Sequence, residues 1–276
     1  MTETTITSRP ADGHGLTERR RHPREPFVEF DDVTKAYGSK QVLRGASVKV
    51  FRGEVLVILG GSGSGKSVTL RHMLGLEAPD AGRVIVEDED ITQLPEEELY
   101  RVRKKFGMLF QSGALFDSMT VFENVAFPLR EHTEMSEDEI GRAVREKLEL
   151  VNLPNTDHLM PVDLSGGMRK RVGLARSIVL DPKVILYDEP TTGLDPITAQ
   201  TINELIVDLQ TKLSVTSVVV THDIHSAFSV GDRIAFLHQG VFEWVGSMDD
   251  ARDSDNPRLR EFLRASAVVA AQPSKK

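Results

Sequence analysis

Short apolar, β-branched runs alternate with stretches of helical period along most of this chain. Residues 27–34, 46–50, 55–59, 83–87 and 106–110 read as strands. From Ser112 to about Pro161 the texture turns helical. There Ser136 and Glu139 have the spacing of a capping box, and Ile140, Val144, Leu148 and Val151 follow at close to helical spacing. Strands resume at 184–187, 217–220 and 233–237. Between them a helix is expected over 196–213, with Asp195 as cap, Pro196 in the first turn, and an apolar face of Ile202, Leu205, Ile206, Leu209 and Leu213. The pattern predicts an α/β core interrupted by a helical insert at about 112–163.

The most specific chemistry lies between the strand at 55–59 and the helix expected from Val68 to Leu76. Residues 60–67 read GGSGSGKS and fit G-x-x-x-x-G-K-[S/T] throughout. Gly60, Gly61, Gly63 and Gly65, with Ser62 and Ser64, let the backbone turn so that its N–H groups face phosphate oxygens, and the helix N-terminus adds partial positive charge. Lys66 is placed to reach the β- and γ-phosphates, and Ser67 to offer its hydroxyl to Mg²⁺. A merely flexible Gly/Ser loop needs neither the strand before it nor the helix after it.

A second apolar run, 184–187, ends in Asp188 and Glu189. Such a strand is expected beside the phosphate-loop strand, with Asp188 on Mg²⁺ and Glu189 orienting the attacking water. Taken alone, the pair could be solvated acids ending a buried strand; behind a phosphate loop the catalytic reading prevails.

Composition adds limits. The chain has 276 residues, a net charge of −8 and no cysteine. A disulfide scaffold, a zinc–thiolate site and a cysteine nucleophile are excluded, and the acidic balance disfavours nucleic acid as a partner. No stretch approaches the roughly 18 apolar residues of a membrane span. Arg19-Arg20-Arg21 is followed by His22-Pro23-Arg24 rather than an apolar stretch, so it does not read as a twin-arginine export signal. Residues 1–26 and 266–276 are expected to be loose tails around a nucleotide-binding domain at 27–265. The basic runs at 101–105 and 169–171 are expected on an exposed helix end and on a solvated or nucleotide-facing helix surface.

Six elements in order resemble the ATP-binding-cassette (ABC) family over about 27–265. Tyr37 resembles the aromatic that stacks on adenine, and 60–67 the Walker A loop. Gln111 stands at the Q-loop position, and Leu164-Ser165-Gly166-Gly167-Met168 resembles the signature LSGGQ. Asp188 and Glu189 match Walker B and its carboxylate; Gly193-Leu194-Asp195 resembles the D-loop, and His222 the switch histidine. The resemblance implies a P-loop NTPase core with an antiparallel β subdomain and a helical insert. It implies ATP and Mg²⁺ as ligands, with Lys66, Gln111, Glu189 and His222 in catalysis and Ser67, Gln111 and Asp188 about the metal. Tyr37, residues 60–68, Ser165, Gly166, Gly167 and Asp195 would contact nucleotide. Ser165 can cap a helix beginning near Met168, leaving N–H groups free for an anion. In the family that surface faces the phosphate loop of a second copy, so two ATP molecules are sandwiched in a head-to-tail dimer.

Two departures stand out. Met168 replaces the usual glutamine, sparing the backbone donors. Val68 stands where many members have a threonine that holds the α-phosphate, a loss of about 1 kcal/mol. Both, with residues 108–116 and 118–133, resemble the ATPases of the Mla and Mce-type lipid transporters. That implies a peripheral position on the cytoplasmic face of the inner membrane, a multi-pass permease, an MCE-domain lipid-binding protein, and a small STAS-domain protein as a further partner. Phe110, Leu115, Phe116 and Phe122 are candidates to line the permease groove. A polar-solute importer shares the same chemistry. Non-transport cassettes acting on DNA or ribosomes carry long coiled-coil inserts or two cassettes, whereas this chain has one cassette and a short insert. A purely structural nucleotide-binding protein would not need Asp188, Glu189 and His222.

Overall fold

The computed structural model describes residues 25–271. Of the tails expected at 1–26 and 266–276, residues 1–24 and 272–276 lie outside the described residues. Strand β1 (Pro26–Tyr37) pairs with β2 (Lys40–Phe51), and with β4 (Ala81–Val86) and β5 (Glu89–Asp90) builds an antiparallel sheet of order β2-β1-β4-β5. A second sheet has the order β10-β9-β3-β8-β7-β6. Its strands are β3 (Val55–Leu59), β6 (Phe106–Leu109), β7 (Val184–Asp188), β8 (Thr216–Thr221), β9 (Arg233–His238) and the antiparallel edge β10 (Val241–Ser247).

All five residues of β3 are buried, because parallel neighbours flank it on both sides and its two faces meet different cores. An unbroken apolar run is what such a strand needs. Val55, Val57 and Leu59 face a core shared with α3 (Val121–His132), α4 (Glu137–Leu150), α5 (Gly166–Ile178) and α6 (Pro196–Leu213). Leu56 and Ile58 face the other core, shared with the antiparallel sheet and α1 (Lys66–Met73). The helices α3 and α4 fall within residues 112–163, where the sequence predicts a helical insert.

The strand bearing the two carboxylates does not lie beside β3, contrary to the sequence expectation. Strand β8 sits between them, pairing in parallel with both. All six residues of β8 are buried, which suits it to the sheet interior. Parallel strands still deliver all their C-terminal ends to one edge, so the separation costs the site nothing.

Caps set several helix boundaries. The Asp195 carboxylate accepts from the N–H groups of Ile197 and Thr198, Pro196 follows, and α6 occupies the expected residues. Glu139 accepts from both the N–H and the hydroxyl of Ser136 at the start of α4. Thr120 and Glu123 make a reciprocal capping box for α3 that the sequence reading missed. Short helices α2 (Glu96–Arg103), α7 (Ile224–Val230) and α8 (Met248–Arg252) complete the fold with α9 (Pro257–Ala271), which runs past residue 265. Among the described residues, no helix is long and apolar enough to cross a membrane.

Glu87 ties the antiparallel sheet to the second one. Its carboxylate meets Lys105 at 2.8 Å, Lys183 at 2.9 Å and Arg52 at 3.1 Å. Desolvation pushes its pKa up, but Lys105, Lys183 and Arg52 outweigh that and hold it at about 2. A carboxylate with a depressed folded pKa stabilises the fold above its unfolded pKa, and that contribution fades as pH falls toward 2. Glu87→Gln is therefore expected to lower unfolding free energy at pH 7 by about 1 kcal/mol, a modest figure because the cations are partly exposed. Urea titrations should show the gap from wild type closing between about pH 4.5 and pH 2; a gap independent of pH would contradict the ionic account.

Candidate active site

Between β3 and α1 the chain turns through Gly63 (φ 75°) and Gly65 (φ 110°), a backbone region that suits glycine. A Cβ at Gly60 would come within 2.3 Å of the Leu237 carbonyl, so this position also requires glycine. At Gly61 and Gly63 an added Cβ would meet nothing within 4 Å, leaving the outer side of the loop open to approach. The first intrahelical bond of α1 runs from the Thr69 N–H to the Gly65 carbonyl, so the N–H groups of Gly65 to Val68 precede the helical ladder. The helix begins at Lys66, two residues before the expected Val68.

Lys66 is 7% exposed. Its ammonium donates to the carbonyls of Gly60 (2.9 Å) and Gly61 (3.1 Å) and lies 3.4 Å from Glu189 Oε1. Ser67 Oγ donates to Asp188 Oδ1 at 3.1 Å, so the hydroxyl and carboxylate expected to share a cation do converge. Burial, and secondarily the neighbouring Glu189, push the Asp188 pKa up, against the pull of Ser67, Lys66 and Arg71. Val68 packs its side chain into the core beside α1, so at most its backbone can serve a ligand.

Glu189 leaves β7 at φ 48° with its N–H bound to the Val220 carbonyl of β8. Its Oε2 meets His222 Nδ1 at 2.8 Å and accepts from Thr192 Oγ1 at 3.1 Å. One carboxylate thus joins the phosphate-loop lysine, the histidine after β8 and the turn after β7. Gln111 is exposed just beyond the end of β6, and no hydrogen bond links it to Ser67 or Asp188 among the described residues.

Tyr37, at the end of β1, is half exposed. Its hydroxyl donates to Glu77 Oε2 at 2.5 Å and accepts from Arg71 Nη2 at 3.1 Å. Burial opposes ionisation of Glu77, but Tyr37, Lys35 and Arg71 hold its pKa below the usual value. Arg71 and Glu77 lie 34 and 40 residues from Tyr37, and only the fold unites them.

At the signature, Ser165 Oγ accepts from the Met168 N–H, and α5 starts at Gly166 rather than near Met168. A Cβ on Gly166 would lie 3.4 Å from Leu194 Cδ2 and one on Gly167 2.4 Å from Thr198 Cγ2, so the signature packs against the D-loop and the start of α6. No hydrogen bond or ion pair links Ser165, Gly166 or Gly167 to residues 60–67 among the described residues. Within the basic run after the signature, Arg169 is exposed and Arg171 half-buried, and Lys170 alone departs from the expected solvated or nucleotide-facing surface. Arg169 and Arg171 donate to the carbonyls of Leu164 and Asn152, and Lys170 is buried, its pKa lowered by desolvation to about 8. The run at 101–105 is paired within the fold: Arg101 with Glu89, Arg103 with Glu96 and Lys105 with Glu87.

Open glycine positions, a lysine beside them and two carboxylates at one sheet edge serve phosphate chemistry, and they make this a P-loop nucleoside triphosphatase. Residues 43–192 match the family model described as ABC transporter. The chain is 42% identical over 248 residues to the "Probable ribonucleotide transport ATP-binding protein mkl" of Mycobacterium leprae, spanning 90% of this chain and 72% of that one. It is 42% identical over 237 residues to the intermembrane phospholipid transport system ATP-binding protein MlaF of Escherichia coli, spanning 86% and 88%. A solved dimeric ATP-binding cassette in a post-hydrolysis state, bound to ADP and Pi, superposes with a TM-score of 0.74 at 34% identity, covering 80% of this chain and 98% of that one. The chain belongs to the ATP-binding subunits of ABC transporters: it hydrolyses ATP and acts as a dimer on a membrane permease.

Proposed function

We propose that this ATPase drives phospholipid movement between membranes as the cytoplasmic, peripheral subunit of an Mce-type transporter. The observation that carries the reading is the 42% identity to MlaF, which extends over 88% of that protein. The partners are then a multi-pass permease, an MCE-domain lipid-binding protein and a STAS-domain protein. Phe110, Phe116 and Phe127 are exposed at the start of the insert and suit a permease contact, while Leu115 and Phe122 are partly buried against the core. We take 27–265 as the cassette, with its insert at 112–163.

In the proposed mechanism Lys66 exchanges the carbonyls of Gly60 and Gly61 for phosphate oxygens, and the N–H groups of residues 60–68 complete the cradle. Ser67 and Asp188 are oxygen donors 3.1 Å apart, a fit to Mg²⁺, which takes one or two protein oxygens and completes its shell with phosphate and water. Bound there, it would neutralise charge on the β- and γ-phosphates. Glu189 orients the attacking water and takes its proton, held by His222 and Thr192. Gln111, just beyond the end of β6, would add a further oxygen to the metal shell. Ser165, Gly166, Gly167 and Asp195 contact the nucleotide held by the second copy. Closure of two copies on two ATP molecules, and reopening after hydrolysis, moves the permease.

Tyr37 stacks on adenine in this account. Tyr37→Ala is expected to raise KM for ATP about tenfold with kcat little changed, as loss of one base–aromatic stack predicts; an unchanged KM would remove Tyr37 from the site.

The similarity to mkl, of equal identity, favours a second reading in which a ribonucleotide is the cargo. Gentle solubilisation of native membranes, followed by mass spectrometry of co-purified proteins and lipids, separates the two. A permease with an MCE-domain protein and phospholipid supports the proposal. A permease with a polar solute-binding protein and no phospholipid overturns the lipid reading.

A further inference from the structure

Lys170 is a cation at 4% exposure, and among the described residues no carboxylate is bonded to it. Its ammonium is satisfied instead by main-chain carbonyls: Pro190 at 2.6 Å and Thr192 at 2.8 Å, with that of Glu189 at 3.4 Å. Burying an ammonium among neutral groups is costly, and replacing it with an apolar side chain of similar length would leave those carbonyls unsatisfied. The three carbonyls belong to the turn that aims Glu189. That turn begins at φ 48°, and the Thr192 hydroxyl within it donates to Glu189 Oε2. Lys170 itself sits on α5, one turn beyond the signature residues Gly166 and Gly167.

We propose that Lys170 is a positioning residue for hydrolysis: from the signature helix it clamps the 189–192 turn and thereby sets the orientation of the Glu189 carboxylate. A displacement of α5 by whatever the signature contacts is carried by this clamp to the same chain's own Glu189. No chemical step passes through Lys170. Arg176 makes a comparable link at the other end of α5, donating to the carbonyls of Gly113 (3.1 Å) and Ala114 (2.8 Å) beyond Gln111. The helix is therefore tied to the turn after β7 through Lys170 and to the loop after β6 through Arg176.

The inference rests on Glu189 being the carboxylate that activates water, and the test separates the two. ATP turnover, KM and thermal midpoint are measured for the full chain in its membrane complex, as wild type, Glu189→Gln, Lys170→Met and Lys170→Gln. Lys170→Met should lower kcat about 10–100-fold with KM within a factor of about two, the signature of a misaimed group rather than a lost binding contact. Lys170→Gln keeps two amide donors without the buried charge, and is expected to recover part of that loss while remaining below wild type. Should Lys170→Met not fold, Lys170→Gln decides alone: a lowered kcat at unchanged KM is expected, and wild-type kcat overturns the proposal. If Glu189→Gln is inactive while folded Lys170→Met turns over at the wild-type rate, only the role of Lys170 falls. If Glu189→Gln turns over normally, the assignment of Glu189 falls and this inference with it.

Discussion

Glu189→Gln is expected to reduce ATP turnover by about 10²–10⁴-fold while ATP affinity stays within about twofold of wild type. Glutamine has nearly the shape of glutamate and can still accept from Thr192, so the turn after β7 keeps its form. What is lost is the group that can take a proton from water. The ion pair with Lys66 at 3.4 Å is also lost, which frees that ammonium for phosphate and is not expected to weaken binding. Single-turnover hydrolysis and titration with a fluorescent ATP analogue read the two effects separately. Turnover near the wild-type rate would remove Glu189 from the chemistry.

Lys66→Ala is expected to fail earlier in the cycle. Its ammonium is hydrogen-bonded to the loop carbonyls of Gly60 and Gly61 at 2.9 and 3.1 Å, within the loop that would cradle the phosphates. Hydrogen bonds to charged groups contribute about 1.5–3 kcal/mol, so the Kd for ATP should rise about 10–100-fold. Hydrolysis falls with it, but excess ATP should restore part of the rate, unlike in Glu189→Gln. The contrast between lost affinity at Lys66 and lost chemistry at Glu189 follows from geometry. If both variants showed the same pattern, the separate roles given to them would be wrong.

Much of this site is legible in the sequence because each part is local. Strand, glycine loop and helix at 55–73 are contiguous, and the boundaries of α6 follow from a capping Asp195, a first-turn Pro196 and an apolar face. Strand order is not local. Apolar runs at 55–59, 184–187 and 217–220 say that three buried strands exist, and nothing in them says that β8 lies between the other two. The same limit hid the partners of Tyr37, since Arg71 of α1 and Glu77 beyond it meet its hydroxyl only in the folded chain. Lys170 was misread for a different reason. A basic triplet after a glycine pair suggests a solvated face, yet α5 turns that one position inward, where main-chain carbonyls take the place of water. Strand β10 was missed because its residues are partly exposed and lack a strict alternation.

Signature and phosphate loop share no hydrogen bond or ion pair among the described residues, and in the proposed cycle two copies complete each nucleotide site. Light scattering of Glu189→Gln with and without ATP and Mg²⁺ tests it most directly. The account predicts a mass that doubles on adding ATP and returns to that of one chain when ADP is substituted. A variant that binds ATP yet keeps the mass of a single chain would contradict it.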